Sequence, residues 1–250
     1  MALCPQNRRR FIGFLGLLIL LGVAWKDASA TWSIVAVDPV TREVGSAGAS
    51  CSGYVAGIVG VVPGWGVMVA QARSNSHARR YGLAMLARGA SPTEVVRAVA
   101  NEEFDSNWEE QQYGVVALGF EDASAAFTGA NTYSWRGDIQ GYGVSVQGNI
   151  LTGPEVLDEV LAAFHSASDS SQTLGGRLMA ALEAGGGVGG DRRCGNQTAL
   201  SSYLVVANPN DEADAPSLSL VVAGQERGGR NPVRLLRLRY DRWVEEHFRR

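Results

Sequence analysis

The sequence predicts a layered α+β domain with two sheets, and not a doubly wound parallel sheet. Two observations carry this. β-rich runs come in blocks with helical segments grouped in pairs between them, where a doubly wound sheet would alternate strand and helix one for one. The chain also shows no internal repeat and no low-complexity linker over its 250 residues, so one domain with one layered core is expected over residues 31–250.

The elements follow in order. Thr31 to Asp38 (TWSIVAVD) alternates and is rich in β-formers, a strand. Asp38-Pro39-Val40-Thr41-Arg42 is a turn, and Glu43 to Ser50 returns as a strand of small residues. Gly66 to Gln71 is a third strand after the Pro63-Gly64 turn. A helix is expected from Ser76 to Arg88, capped by Asn75 and stopped by Gly89. A second opens at Ser91-Pro92-Thr93-Glu94, a capping box with proline at the first helical position, and runs to about Ala100. Residues 113–120, 123–128 and 142–147 read as strands. Thr152-Gly153-Pro154-Glu155 repeats the capping-box pattern and opens a helix to about Phe164; another spans Thr173 to Ala184 and is ended by Gly185-Gly186-Gly187. Leu200 to Ala207 and Leu218 to Ala223 are strands. Residues 233–247 fit either period, and a helix is chosen because Leu236, Tyr240, Trp243 and Val244 share one face.

The first thirty residues read as something other than fold. Arg8-Arg9-Arg10 precedes an apolar stretch from Phe11 to Ala24, and Ala28-Ser29-Ala30 closes it with small residues. That is the layout of a cleavable signal peptide, residues 1–30, and of a periplasmic or secreted protein. The n-region fits an ordinary export signal and a twin-arginine signal alike. Cleavage after Ala30 leaves Thr31 first, with a free α-amine beside its hydroxyl. Threonine is a weak nucleophile unless a base adjoins it, and an N-terminal amine can be that base. Signal peptidase also tolerates most residues after the bond, so Thr31 could equally be incidental.

Composition excludes several chemistries. Lys26 is the only lysine, so the chain from Thr31 onward has no lysine Schiff base, P-loop lysine or lysine general base. The leader carries four basic residues against one acid and the whole chain stands at −3, so the remainder stands at −6. A modestly acidic chain without a basic patch argues against nucleic acid as a partner, and no apolar run after the leader is long enough for a membrane span. His77, His165 and His247 are scattered without metal-ligand spacing, so neither a metal nor a cofactor is expected. Cys51 and Cys194 remain once Cys4 leaves with the leader; in an exported chain they suggest one disulfide, against two buried thiols.

Three clusters carry the candidate chemistry. The first is Thr31, with Asp38 near the far end of its strand. In the second, Ser145-Val146-Gln147-Gly148-Asn149, two amides flank a glycine, and Gln147 and Asn149 could donate to an oxyanion or substrate. Amides that satisfy a local turn are the plainer reading. The third is Gly189-Gly190-Asp191-Arg192-Arg193, where Asp191 could orient an amine while Arg192 clamps a carboxylate; a solvated salt-bridged loop is the alternative. Glycines 185–190 satisfy GxGxxG, but after a helix instead of a strand, which is not the dinucleotide fingerprint.

TWSIVAVDPVTREVG, GASC, VVPGWG, VAQA with Asn75, AAFTG, SVQGN with LTGPEV, and GGDRR with Cys194 together resemble domain-of-unknown-function family 1028, a family grouped with the N-terminal nucleophile (Ntn) hydrolases. The resemblance covers nearly everything from Thr31 on. It implies a four-layer αββα fold and a nucleophile at Thr31. Ntn hydrolases of the proteasome type pair the threonine with a lysine; here Arg73 or Arg192 would supply the positive field, the amine would act unaided, or the fold would persist without catalysis. The expected function is an exported amidohydrolase cleaving an amide or related acyl bond of a small-molecule or peptide substrate. Its catalytic set is Thr31, Asp38 and Asp191, and its substrate contacts are Asn75, Gln147, Asn149 and Arg192. The competing expectation is a non-catalytic periplasmic binding or interaction module on the same fold. A homo-oligomer is compatible with either.

Overall fold

The computed structural model describes Met1, residues 31–169 and residues 172–248; the expected leader, from residue 2 on, lies outside the described residues. Ten strands form two antiparallel sheets. In chain order they are β1 (Thr31–Val37), β2 (Val44–Ser50), β3 (Val59–Val62), β4 (Gly66–Ala72), β5 (Gln111–Ala117), β6 (Ala125–Thr128), β7 (Gly137–Gly141), β8 (Val144–Asn149), β9 (Ser201–Ala207) and β10 (Leu218–Val222). The larger sheet runs β10-β9-β2-β1-β8-β7 and the smaller β3-β4-β5-β6. The helices are α1 (Ser76–Leu86), α2 (Pro92–Val99), α3 (Glu155–Asp169), α4 (Leu174–Gly187) and α5 (Pro232–Phe248). The result is a layered α+β domain with two sheets, as the sequence predicts, in the four-layer αββα sandwich that the resemblance implies.

Strand alternation sorts the core into three slabs. On β1, Trp32, Ile34 and Ala36 face α3 and α4, among Leu157, Val160, Leu178 and Leu182. Val35 and Val37 face the other way and meet Val67, Val69 and Val116 of the smaller sheet. The outer face of that sheet (Met68, Ala70, Tyr113, Val115) packs under α1 and α2 through Ala78, Leu86, Val95 and Val99. β1 is buried along its whole length, which explains why its apolar run shows so little interruption.

The helix starts follow the chain's capping signals. Asn75 Oδ1 accepts from the backbone N–H of His77 (2.9 Å) and Ala78 (3.0 Å). At α2 the capping box forms in both directions: Ser91 Oγ accepts from Glu94 N–H, and Glu94 Oε2 accepts from Ser91 N–H. Thr173 caps α4 through Gly176 N–H. α5 is the helix that its shared apolar face predicted, with Val233, Leu236 and Tyr240 buried. Thr152, expected to cap α3, instead donates its hydroxyl to the Val188 carbonyl, and α3 runs beyond Phe164 to Asp169.

Other expectations change as well. β3 and β7 are strands that the sequence reading left out. α4 does not stop at Ala184 but continues through Gly187. The glycines there serve packing: a Cβ on Gly185 would meet Val160 at 2.6 Å and the Trp32 indole at 2.9 Å, so the helix crosses β1 at a distance only glycine allows. Lastly, the 142–147 strand lies two residues later, at Val144–Asn149. Gln147 and Asn149 are therefore strand residues paired to β1, not parts of a turn.

Candidate functional site

Thr31 opens β1, in the middle of the larger sheet, and pairs with Ser50 on β2 and Asn149 on β8. Ser50 in turn pairs with Ser201 on β9. Opposed residues on neighbouring strands bring their Cβ atoms within about 5 Å, so Thr31, Ser50, Asn149 and Ser201 form a row of hydroxyls and one amide across the end of the sheet. All four are fully buried. By strand alternation the Thr31 side chain points between the sheets, and its Oγ1 is buried with no hydrogen-bond partner among the described residues. Buried hydroxyls are ordinarily satisfied, which makes this atom an exception on chemically reactive ground.

Beneath this row the inter-sheet space is polar. Ser33 Oγ donates to Gln71 Oε1 (2.6 Å) and accepts from Gln147 Nε2 (2.6 Å). Gln71 Nε2 donates to Gln112 Oε1 (2.8 Å). Gln112 Nε2 reaches Thr128 Oγ1 and the carbonyls of Gly137 and Gly148. Further along β1 the same space turns apolar, at Val35 and Val37.

The rim is built by the turn after α4. Asp191 is fully buried, and its carboxylate accepts from Cys51 N–H (2.7 Å), Arg193 N–H (3.1 Å) and the Arg193 guanidinium (2.9 Å). The Cys51–Cys194 disulfide closes the same contact covalently, with Cα atoms 5.7 Å apart; of the two alternatives for these cysteines, the bond is the one present. Cys51 directly follows Ser50, so Asp191 stands beside the end of β2 next to Thr31. Strain gathers here as well. Four described non-glycine residues have left-handed φ, and three flank this end of the molecule: Ala72 after Gln71 (φ 62°), Ile150 after Asn149 (φ 54°) and Thr198 (φ 63°), whose carbonyl accepts from Asp191 N–H. Each costs on the order of 1–3 kcal/mol, and such residues cluster at functional sites.

A second network lies on the outer, helix-facing side of the smaller sheet. Asp105 accepts from Asn75 Nδ2 (2.7 Å), Gln111 Nε2 (2.8 Å) and Asn107 N–H (2.8 Å). The Asn107 bond is the largest influence holding its carboxyl below the usual range. Tyr113 donates to Gln111 Oε1. Arg73 leaves the end of β4 to pair with Glu110 at 2.8 Å, with both side chains more than two-fifths exposed. Among the described residues no group of three or more His, Cys, Asp or Glu is placed to hold a metal, and no helix is long and apolar enough to cross a membrane.

The expected site residues therefore separate. Thr31, Asn149 and Asp191 meet at one end of the larger sheet. Asp38 does not: it closes the other end of β1, about 23 Å away at strand rise, where it accepts from Val40 and Thr41 N–H and pairs with Arg177 at 3.5 Å. There it lines a groove of about 750 Å³ with Glu43, Trp243 and His247, and it cannot orient an amine on Thr31. Gln147 is correctly placed in sequence but spent on structure, its oxygen accepting from Ser145 and its nitrogen donating to Ser33. Asn75 is likewise consumed, as helix cap and Asp105 donor. Arg192 is exposed, and the guanidinium on Asp191 belongs to Arg193. Ser33, Gln71, Gln112, Ser50 and Asp105 were missed. Of these only Ser33, two residues after Thr31 on a strand otherwise apolar, carried a signal of spacing; Gln71, Gln112 and Ser50 stand without such a partner on their strands, and Asp105 lies on a loop.

None of the curated proteins matches this chain. The crystal structure of protein SPO2555 from Silicibacter pomeroyi, itself carrying the DUF1028 family model, superposes with a TM-score of 0.71 and 26% identity, over 86% of this chain and 90% of that one. The model for the family of unknown function DUF1028 matches residues 31–231, beginning at the first residue of β1. By that match, the chain belongs to the DUF1028 family.

Proposed function

We propose that the chain is an exported Ntn-type amidohydrolase whose nucleophile is Thr31, freed by removal of residues 1–30. The observation that carries this reading is the Thr31 hydroxyl: buried, without a hydrogen-bond partner, and set at the head of the central strand between a serine and an asparagine. A free α-amine titrates near pH ~8, so a useful fraction is unprotonated near neutrality, as general-base work requires. That amine takes the proton from Oγ1 as Oγ1 attacks the acyl carbon, and passes it to the leaving nitrogen as the C–N bond breaks. Water then hydrolyses the threonyl ester, with the amine as base again. The Asn149 side chain lies beside Thr31 to donate to the oxyanion. Asp191, held by Arg193 and the Cys51 N–H, lies beside the end of β2 to orient the amine.

The test exploits composition. With Lys26 as the only lysine, a chain starting at Thr31 contains one amine in total. N-terminal sequencing of the exported protein should begin Thr-Trp-Ser, and an amine-specific reagent should add a single mass increment. A β-lactone should then acylate the protein once, on Thr31 and not in Thr31→Ala. A mature chain that begins elsewhere would overturn the reading.

A further inference from the structure

Gln71 has no part in the chemistry above, although it comes from the facing sheet and is fully buried. Its Nε2 lies 3.4 Å from the Thr31 carbonyl oxygen, 2.8 Å from Gln112 Oε1 and 3.4 Å from the Gln147 carbonyl. Its Oε1 accepts from Ser33 Oγ at 2.6 Å. The sheet ladder fixes β1 against β2 and β8 within the plane of the larger sheet. Hydrogen bonds within that plane do not set how high Thr31 stands above the smaller sheet. Gln71 does, because it bonds both Thr31 and Ser33 from below. A nucleophile and its base must be placed to a fraction of an ångström for proton transfer and attack.

We infer that Gln71 is the positioning residue of Thr31, gripping its backbone from the facing sheet through a neutral amide. The inference rests on the nucleophile reading of Thr31. Neutrality matters because the amide nitrogen lies within about 7 Å of the Thr31 α-nitrogen by bond lengths. β2, β8 and β9 bring Ser50, the disulfide-bonded Cys51, Asn149 and Ser201, and β5 brings Gln112. The charges nearby are Asp191 with Arg193 from the turn after α4, Arg73 at the end of β4 with Glu110 before β5, Asp105 with its amide donors on the outer side of the smaller sheet, and Asp138 on β7, which accepts from the Thr128 hydroxyl that Gln112 also bonds. A carboxylate at position 71 would add a negative charge close to the amine and would stabilise its ammonium form.

The experiment measures β-lactone acylation of the exported, leader-cleaved protein by intact mass across pH. In the reaction Oγ1 attacks the lactone carbonyl, the ring C–O bond breaks, and the ring-opened hydroxyacyl group stays on Thr31. Gln71→Leu should slow acylation about tenfold or more. Tyr203→Phe, which deletes the buried Ser46–Tyr203 bond elsewhere between the sheets, should leave the rate unchanged. Gln71→Glu should move the half-maximal pH upward by about one unit, a shift that loss of structure alone would not produce. If Gln71→Leu does not fold, the Gln71→Glu profile decides. Wild-type rate in Gln71→Leu, or an unmoved profile in Gln71→Glu, overturns the positioning role while Thr31 remains the nucleophile. A wild-type protein that is not acylated overturns the nucleophile reading, and the positioning role falls with it.

Discussion

Reducing the Cys51–Cys194 disulfide should remove a large fraction of the domain's stability. The bond spans 143 residues, from the end of β2 across the smaller sheet, α1 to α4 and β8. Loop-closure entropy puts the effect of so long a loop at about 5 kcal/mol, with measured values for native bonds of about 2–5 kcal/mol. Total stabilities of about 5–15 kcal/mol make that a third or more of the whole for many domains. The local consequence is sharper. Cys51 N–H donates to Asp191, and Asp191 is fully buried; a turn released from Cys194 would strand that carboxylate away from one of its donors. Urea unfolding of a chain beginning at Thr31, with and without dithiothreitol, should show a loss of about 3–5 kcal/mol, a midpoint lower by about 1.5 M. The Cys51→Ser/Cys194→Ser double variant should match the reduced protein. A loss under about 1 kcal/mol would mean that the unfolded chain is already compact over this loop, and the entropy argument would be refuted.

Three further outcomes are expected. A chain with one alanine left before Thr31 should keep its urea midpoint and lose most β-lactone acylation, because the amine moves off the residue whose hydroxyl it serves; full acylation would contradict this. Gly114→Ala should destabilise by about 1–3 kcal/mol, read as a lowered urea midpoint, since a Cβ there would meet Gln147 Oε1 at 2.0 Å and Ser33 holds that amide in place; an unchanged midpoint would show the amide free to move. Burial raises the phenols of Tyr203 and Tyr113 well above their ordinary range. Their stabilising effect is whole below the unfolded value near pH ~10. Above it the unfolded chain loses the protons first, so stability should fall by about 1.4 kcal/mol per pH unit per tyrosine, with a shallower slope in Tyr203→Phe.

What was legible in the sequence was what depends on neighbours in the chain. The caps at Asn75 and Ser91 mark helix starts because their partners lie two or three residues on. β1 and β9 were legible because buried central strands are continuous runs of β-formers. β7, Gly-Asp-Ile-Gln-Gly, is half-buried with no apolar alternation, and only its pairing to β8 makes it a strand. Gly185-Gly186-Gly187 was misread because a helix stop and a close helix–sheet crossing use the same residue for different reasons. Of the candidate residues, Thr31, Asn149 and Asp191 come together at one end of the larger sheet, while Asp38 stands apart: one end of a seven-residue strand does not reach the other. Ser33 and Gln71 were out of reach because their bonds join residues 38 and 114 apart.

The division of the inter-sheet space argues that this end of the fold is built for more than stability. From Val35 onward β1 faces Val67, Val69 and Val116 across a dry interface, the arrangement that buries apolar area at no polar cost. At Ser33 and Thr31 the same strand faces Gln71, and its neighbours bring Gln147 and Asn149. A buried hydrogen bond nets only about 1 kcal/mol, and replacing both partners with apolar groups of like shape can be neutral. Continuing the valine ladder would therefore cost the domain little. The amides contribute what valines cannot, directional bonds that fix one register and one height for the first residue of β1. That residue is also the one whose own hydroxyl the network leaves without a partner. A layer whose glutamines bond one another from sheet to sheet, yet stop short of the Thr31 hydroxyl, is better matched to the proposed nucleophile than to filling a core.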